Sequence, residues 1–105
     1  MTDKIFAFVE RLKVNPDNRF DRYNLAQAYF EQDEYQNAII HFKRCLEHSN
    51  DWMLVNLFLG KCYLALKEHK EAKDFLERTM HLAKEQNHED PLNEAESLLK
   101  ECVQG

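Results

Sequence analysis

Glycine and proline are nearly missing from this chain, with two of each in 105 residues. A β-rich domain needs such residues for its many turns, so their scarcity points to helices joined by few breaks. An excess of basic charge is missing too. The 14 Lys and Arg are scattered among 19 Asp and Glu, for a formal charge of −5, which excludes the basic patch that sequence-independent phosphate contacts require. No nucleic-acid partner is expected. A weakly basic partner is compatible with this balance, although a solvated surface explains the acids more simply.

Long apolar runs are absent as well. The opening residues, Met1 to Arg11, place a short apolar stretch between charges, which is neither a secretory leader nor a membrane span. The expectation is a cytoplasmic chain with no membrane partner. Thr2 stands where myristoylation needs Gly, and Gln104 and Gly105 do not complete a prenylation box after Cys102. The three cysteines, Cys45, Cys62 and Cys102, are odd in number and lack C-x-x-C spacing, so they read as small apolar residues in a reducing compartment.

Chemistry is sparse. There is no Gly-rich phosphate loop, nucleophile elbow or Ser/His/Asp arrangement, so no catalytic residue is assigned and the chain is not expected to be an enzyme. Glu31, Asp33 and Glu34 near one turn read as solvated surface. His41, Cys45 and His48 share a helical face at i, i+4 and i+7, but they supply three ligands and Cys45 should point into the core. Neither metal nor cofactor is expected.

What is present is a repeat. Laying residues 19–52 over 53–86 without a gap aligns Leu25 with Leu59, Tyr29 with Tyr63, Ala38 with Ala72, and Arg44 with Arg78. The pairs Ala26/Gly60 and Phe42/Leu76 keep the same alternation of small and large. A period of 34 residues predicts stacked helix-turn-helix units. Small residues belong where paired helices cross closely, namely Ala26 and Gly60 on the first helix and Ala38 and Ala72 on the second; Tyr29, Tyr63, Phe42 and Leu76 fill the space beside them.

Six helices are predicted. The first, over about 2–13 with Thr2 as its cap, buries Ile5, Phe8, Val9 and Leu12. Asn15-Pro16-Asp17-Asn18 is a break with a cap, followed by helices at about 19–32 and from Glu34 or Tyr35 to His48. Ser49-Asn50-Asp51 is a second break with a cap, followed by helices at about 52–66 and 69–85. Asp90-Pro91 starts the last, over 90–103, with Leu92, Ala95, Leu98, Leu99 and Cys102 on one side, as expected of a helix that shields the end of the array. The organisation expected is a single domain, with a half-repeat over 1–15, repeats over 16–50 and 51–86, and the terminal cap.

The pattern Leu25-Ala26-x-x-Tyr29 with Ala38-x-x-x-Phe42, repeated as Leu59-Gly60-x-x-Tyr63 with Ala72-x-x-x-Leu76, resembles the tetratricopeptide repeat, and in particular short stand-alone bacterial members of that family. The signature Trp is replaced by Arg22 and Asn56, and the closing Pro by Asn50 and Lys84, while Pro16 keeps the phase. The resemblance implies an all-α, right-handed stack of helix hairpins acting as a protein-binding scaffold or adaptor.

By that resemblance the first helix of each pair lines a concave face that meets a bound peptide. Phe20, Tyr23, Gln27 and Phe30 share a stripe displaced by roughly 130° from the core stripe, and Leu54, Leu57, Lys61 and Leu64 repeat it. Ala28 and Asp21 are expected on the outer side. The Lys, Asn and Arg clamp of members that grip acidic chaperone tails is not matched by Tyr23, Gln27, Leu57, Phe58 and Lys61. A more apolar or mixed ligand, an amphipathic helix or an extended peptide, suits the stripe. The alternative is a self-assembling structural protein whose stripe is its own homodimer interface.

Overall fold

The structure, a computed structural model, describes residues 3–104. It contains α1 (Asp3–Val14), α2 (Arg19–Glu31), α3 (Tyr35–His48), α4 (Met53–Ala65), α5 (His69–Gln86) and α6 (Glu89–Gln104), with no strand among the described residues. The expected Thr2 cap lies outside them. The chain divides into two compact units, 1–50 and 51–105.

In the first unit α2 packs against both α1 and α3. Asn18 caps α2: its Oδ1 accepts from the backbone N–H groups of Phe20 (3.1 Å) and Asp21 (3.0 Å), as the sequence break predicts. Ile5 and Leu12 of α1 close over Leu25 and Ala28 of α2, joined by Phe8, Val9 and Tyr29. Two expectations fail here. Ala28 is buried rather than outward, and Asp21 is buried with its carboxylate 3.1 Å from Arg11 Nε. Both follow from α1, which occupies the side of α2 that a lone hairpin would leave to water. Fully buried Ala38 stands on α3 where the sequence places the close crossing.

In the second unit Gly60 stands at the crossing of α4 and α5. A Cβ at Gly60 would lie 2.5 Å from Leu76 Cδ2, so only hydrogen fits there unless the fully buried Leu76 moves. Ala72 is also fully buried. Further along, Met53, Leu82 and Ala83 form a cluster with Leu92 of α6, and Ala95 and Cys102 of α6 are buried. The N-cap of α4 is Trp52, whose side chain makes no cap bond, so the break at 49–51 stops one residue short of the capping position. α6 begins at Glu89, and Pro91 is its third residue rather than its first. That shift is tolerated because none of the first four N–H groups of a helix has an intrahelical acceptor.

The two hairpins turn in the same way. Asp33 (φ 59°) and Lys67 (φ 61°), 34 residues apart, both take the left-handed conformation. After each, an N–H returns to the tyrosine carbonyl of the preceding helix, Glu34 to Tyr29 (3.0 Å) and Glu68 to Tyr63 (2.9 Å). The bonds satisfy carbonyls that the helix end leaves open.

Candidate functional site

The stripe residues come from the first helix of each hairpin. On α2, Phe20 is 61% exposed, while Tyr23, Gln27 and Phe30 are half-buried. On α4, Leu54 is 43% exposed, Lys61 and Leu64 are half-buried, and Leu57 is buried at 3%. Phe20 and Leu54 are therefore large apolar residues left on the surface at equivalent positions of the two hairpins. Leu57, by contrast, offers no surface in this conformation.

Each stripe is held by neighbouring chemistry. The Arg19 guanidinium lies 5.2 Å from the Phe20 ring centroid, a favourable cation–π placement. Tyr23 meets Phe42 edge-on at 6.0 Å, and burial, with Cys45 second, raises its phenol pKa. Phe30 meets Tyr35 edge-on at 5.7 Å. On α4, the Lys61 ammonium stands 5.3 Å from the Phe58 centroid and forms an ion pair with Glu94 of α6. The sequence places Glu94 on the last helix, off its apolar side, but does not announce the pair with Lys61, because in the gapless register residue 94 falls opposite Gly60 and the repeat has already broken.

Arg22, at the signature Trp position, has a task of its own. It donates to His41 Nδ1 (3.1 Å) and to the Pro16 carbonyl (3.0 Å), tying the α1–α2 break to α3. Because arginine can only donate, Nδ1 accepts and the ring proton sits on Nε2. His41 also stacks on Tyr29 at 5.6 Å. Burial, then the charges of Arg22 and Arg44, lower its pKa to about 4.

The possible metal face takes no such form. Cys45 is fully buried with its thiol toward the Arg19 carbonyl, and His41 is engaged by Arg22. Among the described residues no group of three His, Cys, Asp or Glu side chains converges as metal ligands. Burial pushes the Cys45 thiol up to about 11, against the pull of Arg22, and the Cys62 thiol up to about 12. Both are protonated at neutral pH and poor nucleophiles.

Two clefts are present away from the stripes. One of about 270 Å³ is lined by Lys4, Ala28, Glu31 and Gln32, and one of about 250 Å³ lies at the α5–α6 turn around Asn87 and Leu92. No helix among the described residues is long and apolar enough to cross a membrane.

The sequence reading missed the burial of Asp21 and Ala28, although a signal was available. Their equivalents in the second hairpin are Val55 and Cys62, both apolar and both fully buried.

The fold has relatives. Regulator of microtubule dynamics protein 1 of Caenorhabditis elegans is 36% identical over 67 residues, which is 63% of this chain and 30% of that protein, so the chain spans about 30% of that relative's length. The TPR2B domain of yeast Sti1, solved as a pHsp70 complex, superposes with a TM-score of 0.84 at 20% identity, covering 95% of this chain and 80% of that one. The first tetratricopeptide domain of Spaghetti, bound to the HSP90 peptide SRMEEVD, superposes with a TM-score of 0.82 at 24% identity, covering 95% and 75%. At these identities the likeness is one of fold. The model of the family described as anaphase-promoting complex, cyclosome, subunit 3 matches residues 1–79, most of the chain. With its two hairpins of tetratricopeptide type, the chain belongs to that family.

Proposed function

We propose that the chain is a non-catalytic interaction module of the cytoplasm, which holds a segment of a partner protein on the stripe carried by the first helix of a hairpin, α2 in the first unit or α4 in the second. The observation that supports this reading is the recurrence of Phe20 and Leu54, large apolar side chains left exposed at the same register of successive hairpins. Folding of a single hairpin does not require either to be apolar, and a large apolar side chain left exposed on a helix face is suited to a docked ligand. The peptide complexes formed by the Sti1 and Spaghetti domains lend the reading further support.

The test begins with affinity capture of a partner from the source cell, followed by titration against variants. Phe20→Ser and Leu54→Ser should each weaken binding, Phe20→Ser by about 2 kcal/mol if it acts as an aromatic anchor. Tyr23→Ala is a less clean probe, since Tyr23 also packs on Phe42. Gln36→Ala, on the exposed side of α3, serves as the control; Asp21 cannot, because it is buried in an ion pair. Binding that survives both stripe variants but is lost in Gln36→Ala places the site elsewhere.

A further inference from the structure

The net charge of the chain is concentrated on one helix. α6 carries Glu89, Asp90, Glu94, Glu96 and Glu101 against Lys100 alone, whereas residues 51–88 of the same unit hold six acids and six bases. Along α6, Asp90, Glu94, Ser97 and Glu101 recur at i, i+4, i+7 and i+11, which confines them to a face about 60° wide. All four are exposed.

Helix stability does not explain this face. A carboxylate in the first turn is favoured by the helix dipole, which accounts for Asp90, but Glu101 stands in the last turn, where the dipole disfavours it and where α6 has no basic residue. The ion pair between Glu94 and Lys61 fixes where the face lies: it borders α4 at the cation of the α4 stripe. The lysine is neutralised from within the unit, with its side chain only 26% exposed. Asp90 and Glu101 lie about one turn before and two turns after Glu94 on the same face.

We propose that the segment bound along the α4 stripe is basic, its arginine or lysine side chains meeting Asp90 and Glu101 of α6, on either side of the paired Glu94. Glu94 acts differently: by occupying Lys61 it removes the cation that would receive a carboxylate, so acidic peptides are selected against. Complementary charge sets which partner is accepted, and an internal competitor for the one cation of the stripe adds discrimination against the opposite sign. The inference rests on the reading of the α4 stripe as a partner surface.

The test uses the full chain and three probes. Two are synthetic amphipathic peptides with one leucine pattern, carrying arginine or glutamate at their polar positions; the third is the acidic peptide SRMEEVD. The arginine peptide should bind the unaltered protein about tenfold tighter than the glutamate peptide at low salt, with the gap closing as salt rises. Glu94→Gln should free Lys61 and narrow the gap to about threefold, and Asp90→Asn with Glu101→Gln should weaken the arginine peptide alone. Circular dichroism of each variant checks that it is folded. Either acidic peptide binding the unaltered protein as tightly as the arginine peptide overturns the proposal, as does failure of all three to bind. Loss of every peptide in Leu54→Ser without a preference for charge keeps the stripe and sinks the charge assignment. A charge preference that Leu54→Ser leaves untouched keeps the acidic face and sinks the stripe.

Discussion

The hairpins α2–α3 and α4–α5 share a backbone but not a chemistry. Tyr29 stacks on His41 at 5.6 Å with 7° between the rings, and 34 residues later Tyr63 stacks on Phe75 at 5.7 Å with 4°. Where the first hairpin has an imidazole bonded to Arg22, the second has a benzene ring. Where Arg22 reaches back to the Pro16 carbonyl, Asn56 is fully buried and donates to the Trp52 carbonyl at 2.9 Å. Cys45 and Thr79, both fully buried, each offer a hydrogen to a backbone carbonyl, of Arg19 and of Phe75. The repeat thus keeps the ring stacking of the two tyrosines and leaves polarity free at these positions.

The largest test of this comparison concerns the crossings. Ala38→Leu and Ala72→Leu should each cost about 1–3 kcal/mol by overpacking a site with no spare volume. Ala28→Leu should cost about as much, because Ile5, Leu12 and Leu25 surround it. Denaturant melts decide the matter. A loss at Ala38 and Ala72 with none at Ala28 would mean that α1 yields where α3 and α5 do not.

The pairing of helices was legible in the sequence because close crossings restrict side-chain size, and Ala26, Ala38, Gly60 and Ala72 carry that restriction in the residues themselves. Predicted helix ends fall within two residues of those observed for the same reason that caps and turns are local. The neighbours of a hairpin were less legible. α1 covers Ala28 and Asp21, and no pattern within α2 announces a second contact face of that kind. The Lys61–Glu94 pair was not legible at all, since α6 lies beyond the register that aligns 19–52 with 53–86.

Acid should separate the two hairpins. The folded pKa of His41, about 4, lies below the ordinary value of 6.5, so the neutral ring favours folding. That contribution is complete above the ordinary value and is lost as the pH falls from 6.5 through the folded pKa of about 4, where the unfolded chain takes a proton that the folded one refuses. Phe75, the equivalent residue, has no proton to take. His41→Phe should therefore be the less stable protein at neutral pH, because Arg22 loses its acceptor, and the deficit should shrink as the pH is lowered. Melting temperatures of both proteins across that window provide the check, with carboxylate titration as a background common to the two. A deficit that stays constant with pH would mean that His41 is not the titrating group.

The smallest expected effect lies in the turns. Asp33 and Lys67 hold nearly the same left-handed φ, 59° and 61°, yet their side chains tolerate it differently. Aspartate visits this region with less strain than lysine, and the Asp33 carboxylate accepts a bond from the Tyr35 hydroxyl at 2.9 Å. Glycine removes the Cβ conflict at either site but adds entropy to the unfolded chain. At Lys67 the balance should favour glycine by about 0.5–1 kcal/mol, a rise of a few degrees in melting temperature. At Asp33 the lost bond should offset the relief and leave stability nearly unchanged. Lys67→Asn separates conformation from charge, since asparagine loses the cation as glycine does but keeps a side chain suited to the left-handed region. If Lys67→Gly and Asp33→Gly gained equally, the Asp33 to Tyr35 bond would contribute nothing, and the two turns would be alike in energy as well as in backbone.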